Sequence, residues 1–222
     1  MTIGDARRRA VSAVGVAGIV VALLAACGSS PSAAPAKPAH AAVTVPSEPS
    51  DSVSPALQPG LSPAVRREMA YVDKYWQNRN EAKFGNLHGR DCVNFTSQAL
   101  LARGWKMTPS WQHSFFLTVN EYSPAWISST SFMRYMLAHP KLGKPLTWAQ
   151  RDQVAVGDVV QFDYNNSGNR DHTAVVSRIT GSSDSLDIRI AQHSAGALYR
   201  TIAFELSRHP PGGKVYFWHL SD

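Results

Sequence analysis

The sequence predicts an α+β domain in which N-terminal helices pack on an antiparallel sheet of about five strands. Between residues 62 and 139, apolar residues recur at helical spacing. From residue 159 onward they alternate with polar residues in short runs, and turn residues separate these runs. Because the helical segments come first and the strands follow one another, the pattern favours helices packed against one antiparallel sheet.

The chain divides into three segments of different composition. A run of arginines at residues 7–9 precedes an apolar stretch from Ala10 to Ala26, which is the layout of a secretory signal. Residues 28–60 are rich in Pro, Ala and Ser and lack Phe, Trp and Tyr, so we expect them to form a disordered tether. The predicted segments are a signal over residues 1–26, a tether over residues 27–60 and a folded domain over residues 61–222.

Composition excludes several classes of protein. Two distant cysteines, Cys27 and Cys92, suffice neither for a disulfide-rich mini-protein nor for a zinc module built on paired cysteines. Only one apolar run approaches spanning length, which excludes a polytopic membrane protein. The 22 Lys+Arg and 16 Asp+Glu include no basic block of five or more, so we expect no nucleic-acid partner. The histidines show no metal-ligand spacing, and we expect neither a catalytic metal nor a cofactor.

The domain is predicted to begin with a helix. Ser62 suits the N-cap and Pro63 suits the first helical position. The apolar residues that follow at helical spacing, and predict one face packed on a core, are Val65, Met69, Val72 and Trp76. We expect Asn78, Asn80 and Gly85 to end this helix.

A second helix is predicted to begin at Asp91, whose carboxylate can cap the free amides of the first turn. Arg103 suits the negative end of this helix, and Gly104 suits the left-handed residue that ends it. Cys92 therefore falls in the first turn, where the helix dipole favours a thiolate and the unpaired amides can stabilise an oxyanion. The alternative is a small buried apolar residue, because Cys92 shares a helix face with Phe95.

A third helix and then a series of strands follow. The helix is predicted from Ser131 to His139, ahead of Pro140. The predicted strands are Val159 to Tyr164, His172 to Thr180, Leu186 to His193, Tyr199 to Phe204 and Val215 to His219. The runs of Asn, Ser, Gly and Asp between them are typical of turns.

Residues 91–98 form a specific motif. The run Asp-Cys-Val-Asn-Phe-Thr-Ser-Gln resembles the D-C-x-N-F-x-S-Q signature of the putative amidase domain family, which is grouped with papain-like cysteine hydrolases such as the NlpC/P60 and CHAP domains. Weaker matches follow in order at Trp111, residues 123–126, residues 156–162, residues 171–176 and residues 192–194. The resemblance spans about Tyr71 to His219 and implies a papain-like fold.

The resemblance implies a catalytic set. Cys92 would be the nucleophile, His172 the base, and a third polar residue, for which His193 is the first choice, would orient the imidazole. A thiol needs a neighbouring imidazole to be mostly thiolate at neutral pH, and that base needs a third group to fix its tautomer. Gln192 is the alternative: if the strand face that carries the isoleucines packs on the Cys92 helix without a bulge, Gln192 points at His172.

Three further polar residues of the motif are assigned supporting roles. We expect Asn94 and Gln98 to bond the surrounding backbone rather than substrate, because Cys92 and Asn94 are two apart on a helix and do not face each other. We expect Asp91 to cap the helix and to tune Cys92.

The end of the apolar stretch carries a second resemblance. The run Leu24-Ala25-Ala26-Cys27 is similar to the lipobox of a bacterial lipoprotein signal. That resemblance implies cleavage before Cys27 and a lipid on its side chain, which would hold the protein on the outer face of the bacterial cell membrane without a spanning helix. An uncleaved anchor or a plain secreted protein is the alternative.

These expectations combine into one functional hypothesis. The chain is predicted to be a cysteine-dependent amide hydrolase of the cell envelope, with peptidoglycan or another peptide as its substrate. A thiol acyltransferase that uses the same two residues and a non-catalytic envelope-binding domain are the alternatives. No oligomeric state is predicted.

Overall fold

The computed structural model describes residues 53–117 and 119–221, so the predicted signal, Cys27 and the tether up to residue 52 lie outside the described residues. The helices are α1 (Pro63–Tyr75), α2 (Glu81–Phe84), α3 (Cys92–Arg103), α4 (Pro124–Ile127), α5 (Ser129–Ala138) and α6 (Ile202–Ser207). The strands are β1 (His113–Phe116), β2 (Val119–Tyr122), β3 (Gly143–Thr147), β4 (Val159–Asp163), β5 (His172–Thr180), β6 (Asp187–Gln192), β7 (Ala197–Thr201) and β8 (Lys214–Leu220). In this part of the chain, every helix falls short of the length and apolarity that a bilayer span requires.

The strands form an antiparallel sheet in the order β3-β8-β4-β5-β6-β7, and β1 and β2 form a separate antiparallel hairpin. The predicted α+β class is therefore confirmed. The five predicted strands correspond to β4 through β8, and β3 is a sixth that the sequence analysis missed. β3 contains Pro145 and lies at the sheet edge, where proline is tolerated because one side of the strand has no neighbour to bond.

Successive residues of the sheet pack on opposite faces. Val175 of β5 packs with α1 and α3, whereas its neighbours Ala174 and Val176 pack on the other face with Ile202 of α6. α3 lies inside the helical layer and is buried continuously over residues 92–100. A helix buried on nearly all sides is fixed by packing rather than by a single apolar stripe, so α3 holds the side chains of its first turn rigidly.

The predicted helices are present, with different ends. α1 begins where expected, and Oγ of Ser62 accepts from the amide of Val65 at 3.3 Å. α1 ends at Tyr75, earlier than the predicted stop at residues 78–85, and the short α2 follows. α5 starts two residues before the predicted Ser131 because Ser128 serves as its N-cap.

The predicted strand from Tyr199 to Phe204 is wrong at its C-terminal end. β7 stops at Thr201, whose hydroxyl caps α6 by accepting from the amide of Phe204 at 3.1 Å. The residues that continue the strand pattern in the sequence therefore form a helix. The change from strand β7 to helix α6 brings Glu205 to the end of β6, where it contacts Gln192.

Residues 53–60, assigned to the tether from composition, contact the domain. The side chain of Gln58 donates to the carbonyl of Ser177 on β5 at 2.7 Å. The hydroxyl of Tyr199 donates to the carbonyl of Val53. The packed part of the chain therefore extends upstream of the predicted start of the domain.

Candidate active site

Cys92 occupies the first turn of α3, with 9% of its surface exposed. The first hydrogen bond of the helix runs from the amide of Phe95 to the carbonyl of Asp91 at 2.9 Å, so the amides of residues 92–94 have no acceptor within the helix. The Asp91 side chain makes no capping hydrogen bond, and the prediction that it caps these amides is wrong. The start of α3 thus presents a thiol beside amides that the Asp91 carboxylate does not occupy.

The Asp91 carboxylate is drawn away from the backbone by three other side chains. Its Oδ1 accepts from Nδ2 of Asn94 at 2.8 Å. Its Oδ2 accepts from Nδ1 of His193 at 2.5 Å and from Nε of Arg79 at 3.2 Å. The other ring nitrogen of His193 lies 2.7 Å from the carbonyl oxygen of Tyr75. Asp91 therefore ties the start of α3 to the end of β6 and to the segment after α1.

Cys92 and His172 form the candidate reactive pair of the site. His172 opens β5, is also 9% exposed, and lies close enough to Cys92 to interact with its thiol. Burial acts to raise the pKa of Cys92, but the interactions with His172, followed by those with the Ser129 hydroxyl and the Thr173 backbone, together outweigh it, and the thiol pKa is lowered from its ordinary value. Burial acts to lower the pKa of His172, but Cys92 outweighs it in turn, and the imidazole pKa is raised. Both shifts favour a thiolate beside an imidazolium.

Gln192 determines which ring nitrogen of His172 faces the thiol. Oε1 of Gln192 lies 2.9 Å from Nε2 of His172, and Nε2 of Gln192 donates to the Glu205 carboxylate at 3.1 Å. An ionised carboxylate only accepts hydrogen bonds, so the amide nitrogen must face Glu205 and the amide oxygen must face His172. Nε2 of His172 therefore donates to Gln192, which leaves Nδ1 for Cys92.

The prediction that His193 orients His172 is wrong. Both ring nitrogens of His193 are engaged by Asp91 and by the carbonyl of Tyr75. The contact with His172 belongs to Gln192, the alternative that the sequence analysis left open. His193 lies at the end of β6 and instead connects the sheet to α3 through Asp91 and to α1 through the carbonyl of Tyr75.

Alternation along β6 accounts for this arrangement. Ile190 packs in the apolar cluster beside α6, and Gln192, two residues later, shares its face and meets His172 there. His193 points to the opposite face, where its ring stacks on Phe95 of α3 with centroids 4.0 Å apart. The isoleucine face thus packs away from α3, contrary to the sequence-based assumption. The irregular pairing with β7 between Ile190 and Gln192 does not turn His193 toward His172.

Glu205 is a site residue that the sequence analysis missed. It is buried, and its carboxylate accepts from the hydroxyl of Tyr164 at 2.7 Å and from Nη1 of Arg200 at 2.9 Å, in addition to Gln192. Burial opposes its charge, but the Tyr164 hydrogen bond, the charge of His172 and Arg200 lower its pKa from the ordinary value. Glu205 is therefore ionised at neutral pH. Its segment has a strand pattern in the sequence, so only the tertiary structure reveals this contact.

Ser129 is a second residue that the sequence analysis missed. Its Oγ lies 3.8 Å from Sγ of Cys92 and 2.9 Å from Oγ1 of Thr173. Ser129 is the first residue of α5, but the capping oxygen of that helix belongs to Ser128, so the Ser129 hydroxyl is not needed as a cap. Ser129 and Cys92 are far apart in sequence, and no motif spacing connects them.

Asn94 and Gln98 hold α3 in place. Oδ1 of Asn94 accepts from Nε1 of Trp126 at 2.8 Å, and Oε1 of Gln98 accepts from the hydroxyl of Tyr71 at 2.6 Å. Both residues are buried. Their partners are side chains, whereas the sequence analysis expected backbone groups. These contacts anchor α3 to α4 and α1.

A cleft of about 220 Å³ opens beside His172, and Cys92 is not among the residues that line it. His172 and Gln192 form part of its wall, and Asp171 and Arg208 line it as well. A larger cavity of about 580 Å³ has neither Cys92 nor His172 in its lining, so the smaller cleft is the one that reaches the imidazole. Over residues 53–117 and 119–221, no group of three or more His, Cys, Asp or Glu side chains is arranged to hold a metal ion.

Comparison with known families identifies the kind of domain that carries this site. The family model described as "Putative amidase domain" matches residues 64–218, which is more than half of the chain. The chain belongs to the putative amidase domain family. The matched range contains the residues of the site, namely Cys92, Ser129, His172, Gln192 and Glu205.

Two curated proteins from Bacillus subtilis (strain 168) are similar to this putative amidase domain. "Uncharacterized protein YjcM" is 28% identical over 155 residues, which cover 67% of this chain and 34% of that relative. "Uncharacterized protein YhbB" is 29% identical over 155 residues, which cover 68% of this chain and 48% of that relative. The chain thus spans less than half the length of each relative. No solved structure matches it.

Proposed function

We propose that this putative amidase domain is a cysteine-dependent amide hydrolase. The observation that carries the proposal is the arrangement of Cys92, His172 and Gln192, in which a thiol at a helix start lies beside a base whose Nε2 is 2.9 Å from the side-chain amide oxygen of Gln192. Cys-His-Asn sets with these roles serve papain-like proteases, and Gln192 would take the place of the amide residue here. The proposal therefore includes a papain-like arrangement of the helix and the sheet.

In the proposed reaction, the Cys92 thiolate attacks the carbonyl carbon of an amide and forms a tetrahedral intermediate. Backbone amides at the start of α3 hold the oxyanion. Nδ1–H of His172 gives its proton to the leaving amine as the C–N bond breaks, and a thioester remains on Cys92. Water then gives a proton to Nδ1 and attacks the thioester, which releases the carboxylic acid and restores the thiolate and imidazolium.

Glu205 supports the charged form of His172 in this scheme. It is ionised and buried, and Gln192 connects it to the imidazole. Its negative charge raises the pKa of His172 in addition to the larger effects of Cys92. A proton held on His172 while the thiolate attacks is the proton that the leaving amine needs.

The proposal extends to location and substrate class on sequence grounds. The run ending at Cys27 resembles a lipobox and supports a signal over residues 1–26, a lipid on Cys27 and a tether over residues 27–60. A protein held in this way on the outer face of the bacterial membrane meets the peptide amides of the cell wall. Peptidoglycan peptides are therefore the proposed substrates.

Mass spectrometry of peptidoglycan fragments incubated with the full chain tests the proposal. The expected products are a free carboxylic acid and a free amine from one amide bond. They should be absent with the Cys92→Ala variant, whose circular dichroism should match that of the wild type. Equal cleavage by Cys92→Ala would overturn the assignment of the nucleophile.

The same experiment separates two other classes of function. If an added amine acceptor is joined to the fragment while no free acid forms, the protein is a thiol acyltransferase with the same reactive pair. If fragments bind but neither product forms, the protein is a non-catalytic envelope-binding domain. Either result would overturn the hydrolase assignment.

A further inference from the structure

A second series of hydrogen bonds reaches Cys92, independently of His172. Nε1 of Trp218 on β8 donates to Oε1 of Gln161 on β4 at 2.9 Å. Nε2 of Gln161 lies 3.0 Å from Oγ1 of Thr173, its cross-strand partner on β5. Oγ1 of Thr173 lies 2.9 Å from Oγ of Ser129, which in turn lies 3.8 Å from Sγ of Cys92.

The chemistry of the first residue directs the bonds of this series as far as Ser129. The indole N–H of Trp218 only donates, so the oxygen of the Gln161 amide must face it. The amide nitrogen of Gln161 then donates to Oγ1 of Thr173 and, at 2.8 Å, to the carbonyl of Ser129. Because Thr173 accepts from Gln161, its own hydroxyl proton is directed to Ser129. Ser129 accepts that proton, and when Cys92 is a thiolate, which only accepts, the Ser129 hydroxyl is the donor to Sγ.

We propose that Ser129 is a dedicated hydrogen-bond donor to the Cys92 thiolate, and that Thr173 and Gln161 are the positioning residues that aim it. The assignment rests on the proposed function of Cys92 as a nucleophile and adds a second partner for it.

Burial makes this donor effective. Trp218, Gln161, Thr173 and Ser129 are between 0% and 6% exposed, so water does not compete for their hydrogen bonds. A hydroxyl donates more strongly to an anion than to a neutral sulfur, so the bond stabilises the thiolate more than the thiol or the thioester. The Ser129 hydrogen bond accordingly contributes to the lowered pKa of Cys92, after the larger contribution of His172.

The pH dependence of Cys92 alkylation by iodoacetamide tests the proposal. The rate is followed in the full chain by mass mapping of the Cys92 peptide, which separates it from Cys27. In Ser129→Ala we expect the midpoint of the profile to rise by about one pH unit, because a hydrogen bond to a charged group is lost. A more basic thiolate is also more nucleophilic, so the rate on the high-pH plateau should rise about threefold. At a pH below the midpoints of both proteins, the alkylation rate of the variant should be about threefold lower than that of the wild type.

The pH–rate profile of Ser129→Ala is therefore expected to cross that of the wild type. Such a crossing distinguishes the loss of a hydrogen-bond donor from a general loosening of the site. Thr173→Val is nearly isosteric and removes the hydroxyl that aims Ser129, so it should shift the midpoint in the same direction. Thr173→Ser keeps that hydroxyl and should retain the wild-type profile. Ser131→Ala is the matched control, since it removes a hydroxyl from the same helix outside the series.

The possible results separate this proposal from the proposed function. A wild-type Cys92 that titrates like a free thiol would overturn the function itself. If the wild-type midpoint is low and neither Ser129→Ala nor Thr173→Val changes it, the role of Ser129 is overturned while the proposed function is not. If Ser129→Ala fails to fold by circular dichroism, the comparison of Thr173→Val with Thr173→Ser decides the question.

Discussion

Oε1 of Gln192 lies 2.9 Å from Nε2 of His172, and this contact decides which ring nitrogen meets the Cys92 thiol. The amide is not free to turn over, because its nitrogen donates to Glu205 at 3.1 Å and an ionised carboxylate has no proton to give back. Gln192 thus orients His172 and is itself oriented by Glu205. Each of these two contacts can be tested by substitution.

Replacing Gln192 by Ala removes the acceptor for Nε2–H of His172. The imidazole can then carry its proton on either nitrogen, so we expect kcat to fall about 10²-fold with a smaller change in KM. Steady-state kinetics on the cleaved amide measures both. The comparison variant is His193→Ala, which should chiefly lower the free energy of unfolding, by about 1–3 kcal/mol, because Asp91 loses a buried partner. A wild-type kcat in Gln192→Ala would contradict the assignment.

Replacing Glu205 by Gln keeps the size of the side chain but adds a group that can donate. Gln192 is then able to turn over and present its N–H to Nε2 of His172, which drives the imidazole proton to Nδ1. We expect kcat to fall about 10- to 100-fold, the range found for residues that orient functional histidines. At a pH above the one at which His172 loses its proton, the nitrogen chemical shifts of the ring should report the other tautomer. Unchanged shifts and kcat would show that Glu205 does not set the orientation of Gln192.

The dependence of kcat/KM on pH should be bell-shaped. The rate rises as Cys92 loses its proton, and this limb should lie below the ordinary thiol pKa of 9.0 because His172 lowers it. The rate falls as His172 loses its proton, and this limb should lie above the ordinary imidazole pKa of 6.5 because Cys92 raises it. The two apparent values belong to the coupled pair. A single rise centred near pH 9 would contradict the ion pair.

The buried hydrogen bond between Arg103 of α3 and Glu68 of α1 gives a prediction about stability. Nη1 of Arg103 donates to Oε2 of Glu68 at 2.9 Å, and burial raises the pKa of Glu68 to about 8 despite Arg103. From pH 4.5 to pH 8 the folded chain holds a proton that the unfolded chain has lost. This contribution to the free energy of unfolding is therefore full below pH 4.5 and is lost as pH rises, by up to about 1.4 kcal/mol per pH unit.

The Glu68→Gln variant isolates that contribution. Its side chain still accepts from Arg103 but does not titrate. Urea unfolding of both proteins across this pH range should show the wild type losing stability relative to the variant as pH rises. Parallel curves for the two proteins would mean that Glu68 is ionised throughout the range.

Local sequence signals correctly placed Cys92 in the first turn of a helix. α3 begins at Cys92 and ends at Arg103, and Gly104 follows with a φ of 128°, as the predicted start and end of this helix required. Alternation along β6 offered Gln192 only as the alternative to His193, and the structure places Gln192 against His172. The condition attached to that alternative was wrong, since the isoleucine face packs on the side of the sheet opposite to α3, and Gln192 meets His172 because His172 lies on that same face.

The remaining partners depend on tertiary contacts that no short motif encodes. Ser129 reaches Cys92 because α5 packs beside the start of α3, and the residue lies 37 positions from the thiol. Glu205 reaches Gln192 because Thr201 ends β7 and caps α6. His193 was misassigned because its position beside the strand end fits either sheet face in the sequence, and packing against Phe95 decides between them.

Trapping of the acyl-enzyme tests the central claim most directly. The full chain is mixed with a peptide anilide that it cleaves, quenched in acid within milliseconds, and digested for mass spectrometry. The account predicts an adduct with the mass of the acyl group on the Cys92 peptide, which hydroxylamine removes and which Cys92→Ala lacks. Turnover of the anilide without an adduct, at an equal rate in Cys92→Ala, would contradict it.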